Sequence, residues 1–187
     1  MMQMEPQRAI IPGSNVHSAE ESWMKEEVST GTTLFAMEFA DGVVIAADSR
    51  TSTGVEMGEM PLVQTAANCF REICYNYRDT LIAGIICAGW DKQEGGQVYS
   101  IPLGGMLVRQ PLTMGGSGST YVYGFIDSYY KPKMSKEEAV DFATKAVALA
   151  ISRDGSSGGI VRLGVITKDG IERRIVPGDK LPKFYQG

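Results

Sequence analysis

Apolar residues recur along this chain in two rhythms, and each rhythm names an element. From Thr32, "TTLFAMEF" and "GVVIAADS" are short β-prone runs joined by Ala40-Asp41-Gly42, an Asp-Gly hairpin signal. "PLVQTAANCFREICYNYR" switches to the helical period. It places Leu62, Val63, Ala66, Phe70, Ile73, Cys74 and Tyr77 on one face, with Pro61 suited to a first turn. "TLIAGIICAGW" predicts an apolar strand. "QVYSIPLGG" and "MLVRQPLTMGG" predict two more, separated at Gly104-Gly105. A glycine-rich turn in "SGSTYVYGFIDSYY" leads into an aromatic helix. "SKEEAVDFATKAVALAISRD" predicts a long helix: Ser135 and Glu138 form a capping box, and Ala139, Phe142, Ala146 and Ala150 line one face. "GIVRLGVITKDG" and "IERRIVPG" close the chain with a hairpin around Lys168-Asp169-Gly170. Strands come in antiparallel pairs and helices fall apart from them. That predicts an α+β fold with sheets packed between helix layers, not βαβ units.

Composition narrows this little. The 187 residues are 43% apolar and 21% charged, within the ordinary globular range for one domain with an appendage. A net charge of −4 gives no reason to expect nucleic acid or an anionic membrane as partner. No stretch approaches a membrane span. The three cysteines, Cys69, Cys74 and Cys87, make no CxxC pair, and His17 is the chain's one histidine, so no metal or other cofactor is expected. Scattered, odd-numbered cysteines predict buried reduced thiols in a cytosolic or nuclear protein. The leader "MMQMEPQRAIIPGSNVHSAEESWMKEEV" has only "AII" as an apolar run and shows no period. It reads as a mobile segment outside the core and not as a secretory signal.

Three glycine-rich spots are candidates for chemistry. "GGSGST" at 115–120 lacks the lysine of a phosphate loop. "WDKQEGG" at 90–96 reads as a surface turn. In "RDGSSGG" at 153–159, a helix end explains a glycine but not the crowding of Asp154, Ser156 and Ser157. A fourth spot is Gly31-Thr32-Thr33. By itself it is two β-branched residues opening a strand. A threonine at a chain terminus, however, carries its own base. A free α-amino group, with a reference pKa of about 7.7–8.0, takes the hydroxyl proton. This chemistry requires removal of residues 1–31. Gly31 offers no side chain to block attack of Thr32 on its carbonyl.

Taken together, "GTTLFAMEFADGVVIAADSRTSTG", "AGWDKQEGGQVYS", "GGSGSTYVYGFID" and "SRDGSSGG", in this order, resemble proteasome β subunits from about Val28 to the C-terminus. The resemblance is strongest to the caspase-like catalytic class and its immunoproteasome counterpart. It implies the N-terminal-nucleophile hydrolase fold, a four-layer α-β-β-α sandwich of antiparallel sheets. Residues 1–31 then look like a propeptide and 32–187 like the β-subunit domain. The resemblance makes Thr32 the nucleophile, Gly31-Thr32 the cleavage site and Asp48 the catalytic carboxylate. Ser117, Asp154 and Ser157 match the group that holds the threonine's amino end, and Ser52 matches a position whose backbone pairs with substrate. It implies other α and β subunits in stacked rings as partners, polypeptides cut after acidic or apolar residues as substrates, and the cytoplasm and nucleus as location.

The sequence departs from that pattern after Gly54. There the family continues with two strands and a long helix that carry a catalytic lysine, an oxyanion-hole glycine and the residue at the base of the specificity pocket. Here "GVEMGEMPLV" runs straight into the next helix, and no lysine stands between Lys25 and Lys92. A spliced product, an omission in the gene prediction or a shortened subunit would each look like this. Arg50 and Arg71 are the cations left to approach Asp48, but a guanidinium does not readily exchange a proton. Two functions therefore compete: a threonine endopeptidase of a proteasome core particle, and a non-catalytic or unincorporated truncated form of it. A stand-alone amidohydrolase of the same fold is a third reading.

Overall fold

The computed structural model of the chain describes residues 31–48, 62–154 and 159–184. Five strands form one sheet: β1 (Leu34–Phe39), β2 (Gly42–Asp48), β6 (Leu112–Gly115), β7 (Val161–Thr167) and β8 (Gly170–Val176), in the order β6-β1-β2-β7-β8. Three form a second: β3 (Ile85–Asp91), β4 (Gly95–Ile101) and β5 (Val108–Arg109), in that order. Every pairing is antiparallel. The described helices are α1 (Val63–Asn76), α2 (Tyr123–Tyr129) and α3 (Lys136–Arg153). Helix α3 packs on β1, β2 and β7; α1 packs on β3 and β4; and the sheets face each other. The layers run helix, sheet, sheet, helix, the expected α-β-β-α sandwich.

Alternation along the strands explains the stacking. Phe35, Met37, Phe39, Val44 and Ala46 point toward α2 and α3, where they meet Ile126, Phe142, Ala143, Ala146 and Val147. Ala36 and Val43 point the other way, into a thinner layer with Val98, Ile45, Ile86 and Ala88. Both faces of the five-stranded sheet are covered near its middle, so its central strands read as nearly continuous apolar runs. Helix α3 has the predicted capping box: Ser135 accepts from the Glu138 amide, and Glu138 accepts from the Ser135 amide at 2.8 Å. Its Ala139, Phe142, Ala146 and Ala150 are buried as expected.

Three expectations change. "MLVRQPLTMGG" is two strands, because Pro111 has no amide for a ladder. Before it β5 pairs with β4, and after it β6 pairs with β1 in the other sheet. The buried stripe of α1 is Val63, Ala67 and Cys74, while Ile73 and Tyr77 are exposed. The narrow second sheet leaves that side of the helix uncovered. Among the cysteines, Cys74 is buried and Cys87 half-buried, but Cys69 is exposed. Pro61 lies outside the described residues.

The turn "WDKQEGG" is more than a surface turn. Asp91 is 8% exposed. It accepts hydrogen bonds from the amides of Gln93 and Glu94 at 3.0 and 2.9 Å, from Gln97 Nε2 at 2.6 Å and from the Val63 amide at 3.0 Å. The last bond caps α1 from another element, since Leu62 offers no side-chain cap. Burial pushes the Asp91 carboxyl pKa up, but the bonds from Glu94, Val63, Gln97 and Gln93 outweigh it and hold the pKa below its usual 3.8. Asp91→Ala should therefore cost roughly 2–4 kcal/mol, because charge-assisted bonds are lost and buried donors are left unsatisfied. A folded pKa below the unfolded one stabilises at pH above the unfolded value. The gap between wild type and variant in urea midpoints should be full above the usual 3.8 and shrink as pH falls further. A gap that stays constant to lower pH would contradict this.

Candidate active site

The site forms where β1 begins, and three neighbours reach it. The register places Leu34 opposite Ala47 on β2 and opposite Gly115 on β6. Thr33 therefore sits level with Asp48, and Thr32 comes beside the turn after β6. Thr33 and Asp48 close the ladder: the Asp48 amide donates to the Thr33 carbonyl at 3.2 Å, and the Thr33 amide donates to Asp48 Oδ1 at 3.2 Å. Asp48 is fully buried and Thr33 nearly so. The carboxylate thus lies one residue from Thr32 on a rigid strand.

The second neighbour is the 3₁₀ turn Ser117–Tyr121. Gly116 enters it at φ 86°, in the left-handed region that glycine tolerates. A Cβ there would lie 1.9 Å from the Thr32 carbonyl oxygen, so this glycine lets the turn close against Thr32. Ser119 Oγ donates to the Gly116 carbonyl and Thr120 Oγ1 to the Ser117 carbonyl, which hold the turn's shape. Ser117 Oγ then accepts from the Thr32 backbone nitrogen at 3.3 Å. The third neighbour is the end of α3. Its C-cap residue Asp154, 6% exposed, accepts from Ser117 Oγ at 2.7 Å.

The result is a relay: Thr32 nitrogen to Ser117 hydroxyl to Asp154 carboxylate. A serine accepting on one side and donating to a carboxylate on the other is polarised toward accepting. It can accept from a neutral amine at that nitrogen, and more strongly from a cationic one. The structure thus brings Thr32, Ser117, Asp154 and Asp48 together, and Gly31 lies buried just before them. Ser52, Ser157 and Arg50 lie outside the described residues. Arg71 instead sits beside Glu72 at 3.8 Å. Thr33 is the contributor that the sequence reading missed. Its signal was its place after Thr32, where a strand's alternation turns its side chain to the opposite face.

The family model described as "Proteasome subunit" matches residues 54–166. The chain is also 41% identical to "Proteasome subunit beta type-6" of Dictyostelium discoideum over 209 residues, covering 88% of this chain and 98% of that one. The chain belongs to the proteasome subunit family. Other relatives place it among the β-type subunits. It is 44% identical to "Proteasome subunit beta type-6-B like protein" of Salmo salar, over 84% of this chain and 94% of that one. It is 44% identical to "Proteasome subunit beta type-9" of Mus terricolor, over 88% and 94%. As a proteasome β-type chain it belongs to a peptidase family whose members assemble with other proteasome subunits. The Dictyostelium match spans 209 positions but takes in 88% of 187 residues, about 165, so about 44 positions of that relative face no residue here. The proteasome family match begins at residue 54.

Proposed function

We propose that this chain is a threonine-type proteasome β subunit whose hydrolytic centre is incomplete, with Thr32 as nucleophile and mature N-terminus. The observation that carries this reading is the relay from the Thr32 nitrogen through Ser117 to Asp154. Once the Gly31–Thr32 bond is cut, that nitrogen becomes a free amine already held by a hydroxyl and a carboxylate. As base it takes the proton of Thr32 Oγ1, directly or through a water, while the oxygen attacks a substrate carbonyl. It later returns the proton to the leaving amine, leaving an ester that water hydrolyses. Asp48, on the neighbouring strand and level with Thr33, supplies negative charge beside the nucleophile. Ser157 and Ser52 keep the supporting and substrate-pairing roles that the resemblance implies. Residues 1–31 act as propeptide, and the mature chain works in stacked rings on polypeptides, in cytoplasm and nucleus.

Intact-mass analysis after assembly with partner subunits tests the nucleophile. The expected product lacks residues 1–31, and Ser117→Ala should slow its appearance. A new N-terminus other than Thr32 would overturn the assignment.

A second reading is favoured by the missing lysine and by the 44 or so positions that face no residue. It is that the chain fills a place in the ring, or remains unassembled, without cutting peptides. Both readings share one structural premise, an internal block absent after about residue 54.

A further inference from the structure

The two sheets do not match in width, and the difference lies at one edge. Five strands face three. β3 crosses β6, β1, β2 and β7 of the facing sheet, and the inward face of β8 extends past it. Register shows which side chains that face carries. Ile171 pairs with Ile166 and Ile175 with Arg162, and the period of two puts Arg173 between them. A Cβ on Gly164 would point at Ile45 and Ile171, and Ile45 belongs to the layer between the sheets. Yet Ile171 is 53% and Ile175 66% exposed. A groove runs between this face and β3, lined by Ala88, Trp90, Val63, Ile166 and Ile171. Among the described residues nothing pairs with the far edge of β3. Its sequence, "IICAGWD", has no proline or lysine to blunt that edge.

We propose that this groove is a strand-acceptor site. It takes in trans an extended segment of a β-type subunit, and the roughly 44 positions of the Dictyostelium relative that face no residue here are length enough for one. The segment would pair with the outer edge of β3 and lay alternate side chains on β7 and β8. Isoleucines at 171 and 175 ask for apolar residues, and exposed Arg162 and Arg173 beside them ask for acidic ones. A second copy of the chain fits less well. Antiparallel β3-to-β3 pairing keeps both five-stranded sheets on one side, where each β8 overhangs its own β3 and meets the other. The inference rests on the reading that an internal block is absent, but its test reads binding and not hydrolysis. A chain with the block restored can regain activity whether or not the separate segment binds.

The probe is a synthetic peptide covering those unmatched positions, added to the full 187-residue chain. Saturable one-to-one binding is expected, with a blue shift of Trp90 fluorescence in a Trp23→Phe background. Hydrogen exchange should slow at alternate amides of β3, the signature of a new ladder. Ile171→Asp and Ile175→Asp, both at exposed positions, should weaken binding at least tenfold while leaving the melting temperature of the free chain unchanged. A scrambled peptide should not bind. The proposal fails if the peptide does not bind, if it binds without protecting β3, or if both variants leave its affinity intact. It also fails if the free chain self-associates and the two variants abolish that association, which would assign the groove to a second copy.

Discussion

A core particle assembled with this chain in place of a full-length β-type subunit is expected to lose nearly all hydrolysis at that position. Restoring the block that the resemblance implies between Gly54 and Pro61 is expected to recover it. The described groups can orient an amine: Thr32, Ser117 and Asp154 are already in contact. They do not provide the family's lysine, since none stands between Lys25 and Lys92. Nor do they supply the glycine amide that the resemblance assigns to the oxyanion. Loss of one oxyanion donor alone removes about 10²–10³ in rate, and groups acting as a unit fail together, so half a centre yields far less than half a rate. The comparison uses fluorogenic peptides with acidic or apolar residues before the cut, for both particles and for Thr32→Ala in each. Equal threonine-dependent rates from the two particles would show that another residue does the lysine's work.

The largest effect on stability is expected at Phe142. Its ring stacks on Phe125 at 5.3 Å and tilts against Phe35 at 6.1 Å and Tyr130 at 6.3 Å. These contacts join α3, α2 and β1. They therefore tie the helix that ends in Asp154 to the strand that begins after Thr32. Phe142→Ala should cost about 3–5 kcal/mol, from lost burial plus an unfilled cavity. That is a large share of a typical domain's 5–15 kcal/mol. Denaturant unfolding checks the cost. Slower cutting at Gly31 in variant chains that still fold would check the coupling to the site. A cost below 1 kcal/mol would mean that the neighbouring rings close the cavity. Phe142→Leu should recover much of the loss, because it refills most of the volume.

Much of the architecture was legible before any coordinates. Helix α3 carried its own punctuation, a capping box and an alanine-rich stripe, and both are local signals that packing has no reason to override. The hairpins β1–β2 and β7–β8 were marked by Asp41-Gly42 and Asp169-Gly170 for the same reason. Helix and strand periods that never alternate as βαβ were enough for layered α+β. The motif order pointed to the family, and with it to Thr32, Asp48, Ser117 and Asp154 as candidates.

Tertiary structure alone decided the rest, wherever the deciding partner is distant in sequence. Pro111 marks a break, but only the finished sheets show that the chain changes sheet there. Asp91 looks like a turn residue until the Val63 amide, 28 positions away, arrives to be capped. Gly116 is one glycine among 22 until the Thr32 carbonyl lies where its Cβ would be. Ile171 and Ile175 read as ordinary strand residues until five strands are laid against three. Local propensity depends on a residue and its near neighbours, so the sequence discloses it directly. Close approach, shared burial and an uncovered edge depend on segments that meet only when the chain has folded.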